Sequence, residues 1–98
     1  LHDHFDMRES RAHIANFEST INDMGNDENR LYRERERLMR ALEQKRNELR
    51  TYENNLGFFN SKSKTGNSMF REMERKMQRI KDDIAMIEKK IGIIDSKL

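Results

Sequence analysis

"FREMERKMQRIKDDIAMIEKKIGIIDSKL", Phe70 to Leu98, sets its apolar residues at 70, 73, 77, 80, 84, 87, 91, 94 and 98. The steps alternate strictly between 3 and 4, which is a heptad repeat. Phe70, Met77, Ile84, Ile91 and Leu98 occupy the a positions, and Met73, Ile80, Ile87 and Ile94 occupy d. A period of 3.5 keeps one stripe facing a partner helix when two helices supercoil. The stretch predicts a coiled-coil helix and decides the fold class.

Upstream, Leu31, Arg35, Leu38, Leu42, Lys45, Leu49, Tyr52, Leu56 and Phe59 follow the same alternation. Arg35 and Lys45 interrupt the seam, so each must reach its edge or meet an acid. Such interruptions lower stability while fixing register. The phase extends backwards without a slip through Met7, Ser10, Ile14, Phe17, Ile21, Met24 and Glu28. It predicts one helix from residue 5 to residue 56, about 75 Å long at 1.5 Å per residue. "DMGNDEN" offers the alternative, with Gly25 ending a first helix and Asn26 or Asp27 capping a second. That first helix would then fold back as a third member of a bundle. The unbroken phase favours continuity, because a turn has no need to preserve it.

Between the two heptad regions lies "NNLGFFNSKSKTGNS", Asn54 to Ser68. Gly57 sits where a helix C′ glycine would stand, with Phe58 placed to pack on Tyr52 and Phe59 continuing the seam. Ser68 is a candidate N-cap for the following helix, with Glu72 favoured near its positive end. The expected fold is all-α: an antiparallel coiled-coil helical hairpin with a long N-terminal helix extension. Its parts are an acidic arm (1–27), a first hairpin helix (28–56), a loop (57–68) and a second hairpin helix (69–98). In this register Phe70 lies near Leu56 and Leu98 near Glu28. The arm is then left without a mate, although it carries Met7, Ile14, Phe17, Ile21 and Met24. A bare stripe of that length predicts assembly as a homodimer, or docking on another protein or a segment of a longer parent.

Composition agrees with a thin helical assembly, since charged residues reach 39% and hydrophobic residues only 34%. Proline is absent, so no helix is forced to kink; cysteine is absent, which removes disulfides and thiolate metal sites. No apolar run approaches the roughly 18 residues a bilayer span needs, and no signal-peptide core is seen. A cytoplasmic chain without membrane contact is expected, and Leu1 in place of a starting methionine suggests a piece of a larger protein. Charge is unevenly divided: residues 1–28 hold seven acids against two bases, while the remainder is basic.

Chemistry-bearing motifs are few. "LHDHFD" holds His2 and His4 at a spacing unsuited to a helical two-histidine site, and a solvated helix end is the expected reading. His13 lies off the seam. "SKSKTGNS" lacks the spacing of a phosphate loop. We therefore expect no catalytic residues, no metal and no cofactor. Lys62, Lys64, Arg71, Arg75, Lys76, Arg79 and Lys81 outnumber Glu72 and Glu74 around the bend. Such a cluster, with Lys62, Lys64, Arg71 and Arg75 as candidate anion-binding residues, admits nucleic-acid or ribosome contact as the alternative to an ordinary solvated surface.

"YENNLGFFNSKSKTGNSMFREMERKMQRIKDDIAMIEKKIGIID", Tyr52 to Asp95, resembles the C-terminal coiled coil of Bacteroidetes proteins that contain domain of unknown function 349. The likeness rests on "ENNLGFF", the Ser/Lys/Gly/Asn linker and the charged, isoleucine-rich heptad helix. It implies the tail of a larger cytoplasmic bacterial protein, and it transfers no activity.

Overall fold

The computed structural model describes the backbone of residues 2–62 and 67–98, and the side chains of residues 11–57 and 69–98. The chain is all-α. Helix α1 spans His2–Met24, α2 spans Glu28–Lys62 and α3 spans Asn67–Lys97. The last two pack antiparallel along the heptad stripes and form the hairpin.

The single helix expected from residue 5 to residue 56 does not form. The chain turns at Gly25, whose φ of 60 lies in the left-handed region that glycine enters without a Cβ clash. Its N–H donates to the carbonyl of Asn22 at 3.0 Å, and the Asp27 N–H donates to Met24 at 3.2 Å. Asp27 then starts α2: its Oδ1 accepts from the Arg30 N–H at 3.3 Å, and its carbonyl accepts from Leu31 at 3.1 Å. A left-handed glycine followed by an N-cap aspartate is a complete stop-and-restart signal.

Folding back is favourable because it buries the stripe that a straight helix would leave in water. Ile21 is fully buried in one cluster with Leu31, Leu38, Leu42, Ile91 and Ile94. Phe17 and Met24 pack on it half-buried, and Ile14 is buried as well. On a straight helix Ile21 and Leu42 would stand about 32 Å apart. Phe17 lies level with Lys90 and Ile21 belongs with Ile94, so α1 runs beside α3 and antiparallel to α2. The residues expected to seam two chains together thus pack within one chain. The side chain of Met7 is outside the described residues.

The second departure is at the bend. Gly57 does not cap α2, which continues through it to Lys62. A helical glycine costs about 1 kcal/mol relative to alanine, and the hydrogen bonds of the added turns offset that. Ser68 lies inside α3 rather than ahead of it, because α3 begins at Asn67. Residues 57–62 and 67–68 of the expected loop are therefore helical; residues 63–66 are outside the described residues, as are the side chains of Phe58, Phe59 and Ser68.

The core makes a graded demand on substitution. Ile21→Ala is expected to lower unfolding free energy by about 2–5 kcal/mol. Leu98→Ala, at a position 42% exposed, should change it by about 0.5 kcal/mol or less. Urea denaturation of the two variants provides the comparison, and equal losses would contradict the assigned core.

Candidate interaction surfaces

The heptad code puts two cations into the α2 stripe, and each meets an acid on α3. Arg35 donates through Nε to Asp95 Oδ1 at 2.7 Å. Lys45 Nζ lies 3.3 Å from Asp83 Oδ2 and 3.8 Å from Glu48 Oε2 on its own helix. A third bridge joins Arg46 Nη2 to Glu88 Oε2 at 3.2 Å. All these groups are at least a third exposed, so water screens them and each pair is worth about 1 kcal/mol or less. Their main effect is on register, because a shift of α3 by one turn would part all three at once.

A second surface is the seat of α1. Half-buried Ile93 packs on the core cluster, and half-buried Met86 and Lys90 share its flank of α3. Glu34 and the small Ala41 are half-buried on α2. The Lys90 ammonium stands 5.3 Å from the centroid of the Phe17 ring, within range of attraction to its electron-rich face. Burial draws the Lys90 pKa below its ordinary 10.5; the Glu34 charge opposes that shift and Arg37 adds to it.

The proposed seam residues are placed unequally. Leu31, Leu38, Leu42, Met77, Ile80, Ile91 and Ile94 are buried. Leu49, Tyr52, Leu56, Phe70, Met73, Ile84 and Ile87 are half-buried, and Leu98 is exposed. Of the candidate anion-binding residues, Arg71 and Arg75 are exposed and line a shallow open depression with Glu74 and Gln78. The side chains of Lys62 and Lys64 are outside the described residues. His13 is exposed, and among the described residues no group of His, Asp and Glu could hold a metal ion. No described helix is long and apolar enough to cross a membrane.

Two features were not anticipated from the sequence. One is the pairing of Lys90 with Phe17, which joins residues far apart in the chain. The other is a pair of large apolar side chains on the outer face of α2, Tyr32 at 56% and Met39 at 41% exposure. Their spacing of seven was open to inspection. Comparison with protein-family models, with curated proteins and with solved structures found no match.

Two measurements probe this geometry. A double-mutant cycle on Lys45→Ala and Asp83→Ala should give a coupling of about 0.2–1 kcal/mol that shrinks as salt is added; a coupling insensitive to salt would argue against a solvent-screened pair. Lys90 binds its proton more weakly folded than unfolded. Stability should therefore rise as pH climbs from the lowered value towards 10.5, where the unfolded chain holds the proton longer. Lys90→Met keeps the aliphatic stem. It should leave stability at pH 7 equal or higher and flatten that alkaline rise relative to the parent chain.

Proposed function

We propose that the chain is a non-enzymatic coiled-coil interaction and oligomerisation module, working in the cytoplasm as part of a larger bacterial protein. The carrying observation is the heptad stripe along α2 and α3, buried or half-buried from Leu31 to Leu56, its two ion-paired cations included, and from Phe70 to Ile94. A surface code that selects one helix for another within a chain serves equally between chains. Tyr32 and Met39, seven residues apart and outward on α2, add apolar area that is exposed to solvent among the described residues. Self-association as a dimer is the form we favour. Sedimentation velocity across a wide concentration range should show mass moving from one chain to two; a single chain mass at every concentration would sink the self-association reading.

A second reading is supported by Arg71 and Arg75. Both are exposed on one side of α3, one turn apart, in a segment where bases outnumber acids. Arginines so spaced suit the phosphates of a nucleic acid. Binding to labelled RNA should then fall steeply with salt and weaken in the Arg71→Ala, Arg75→Ala double variant. Binding that ignores both changes removes this reading.

A further inference from the structure

The turn at Gly25 and the heptad phase running through it give the chain conflicting instructions. Ile14, Phe17, Ile21 and Met24 keep step with Leu31, Leu38 and Leu42 across the turn, as if one helix were specified. A turn that only joined two independent helices would leave the phase free to slip. The turn itself is three residues long, from Gly25 to Asp27, and is held by two backbone hydrogen bonds and the Asp27 cap. A Cβ built on Gly25 would meet nothing within 4 Å, so only the backbone conformation, and no neighbouring group, sets the residue apart.

We propose that α1 exchanges between two copies of the chain. The turn straightens, α1 and α2 become one helix, and each α1 takes on its partner the place it holds here on α2 and α3. This proposal rests on the self-association reading and names its partner and route.

A second copy is the occupant that the structure favours. It offers the same Leu31, Lys90, Ile91 and Ile94 to Phe17 and Ile21, so the apolar surface that α1 uncovers on its own chain is covered again by the partner's α1. Geometry closes as well. Because α1 lies antiparallel to α2 and their junction is short, straightened helices from two copies cross antiparallel about a two-fold axis at the hinge. Each α1 then reaches its partner's hairpin without a gap to span, which satisfies the symmetry a closed dimer requires. Short hinge loops between packed helices favour such exchange. Straightening also removes the left-handed residue and extends the backbone hydrogen-bond ladder through residues 25–27.

The test uses the whole chain. Gly25→Ala makes the left-handed turn strained and the straight helix easier, which should tighten dimerisation by about tenfold or more. Three glycines inserted after Gly25 should do the reverse and leave a monomer. Sedimentation gives both masses. Isotope-filtered NOEs on a mixture of labelled and unlabelled Gly25→Ala chains identify the contacts, with Phe17–Lys90 and Ile21–Ile94 expected between chains. A dimer showing these contacts only within each chain overturns the exchange and leaves self-association standing. A monomer in both the parent and Gly25→Ala at every concentration overturns exchange and self-association together.

Discussion

Ile21, Leu31 and Ile94 come one from each helix, and among the described residues they are the largest fully buried side chains. Their meeting is the constraint on which the structure depends. Leu31 and Ile94 pack at the open end of the hairpin, away from its bend, and Ile21 can join them only if the chain reverses between residues 21 and 31. Burying a side chain of this size contributes about 1.5–3 kcal/mol, more than any single surface ion pair here. The turn is therefore a consequence of the junction as much as of its own glycine. Remove the apolar contact, and among the described residues α1 keeps Ile14, Phe17 and Met24 to hold it against the other two helices.

Charge works at a different level. Arg35 and Lys45 stand where a simple coiled coil would have leucine, so the middle of the α2 stripe is weaker than a fully apolar one. Asp95 and Asp83 answer them at 2.7 Å and 3.3 Å. The pairs cost entropy to order and are screened, so they add little to stability. They do discriminate, because a slip of one heptad, which would keep the apolar stripes facing, brings Lys76 or Lys90 opposite Lys45 in place of Asp83. Packing holds the helices together; the ion pairs choose how they align.

The hairpin was legible because a heptad repeat is a one-dimensional signal with a direct three-dimensional meaning. Phe70 to Leu98 needed no tertiary information. Gly25 was legible only as an alternative, since phase continuity and a capping signal occupied the same residues and neither carries a stated energy. The deciding signal lay elsewhere in the chain. Met86 and Ile93 sit at c positions, on the flank of α3 beyond its d residues, and widen its apolar face beyond what one partner helix can cover. They do so only over the part of α3 where α1 lies, and that pattern could have indicated a third helix. Gly57 misled for the opposite reason. A glycine next to two phenylalanines resembles a cap, but mid-helix glycine is a small penalty that a long packed helix absorbs. The Phe17–Lys90 contact was beyond reach, because it depends on the reversal itself.

Within a single chain the conflict at Gly25 has a clear outcome. A straight helix would regain a few backbone hydrogen bonds, each worth about 1 kcal/mol net, and would expose Ile14, Ile21 and the faces of Phe17 and Met24. Those side chains together outweigh the added bonds. Two chains change the comparison, because the same apolar residues can then be buried with the helix left straight. What remains is the entropy of bringing two molecules together, and that depends on concentration by mass action. A residue at this position must therefore be cheap in both conformations, left-handed and helical. Glycine meets that requirement: its left-handed state carries no Cβ clash, and its helical state costs about 1 kcal/mol relative to alanine.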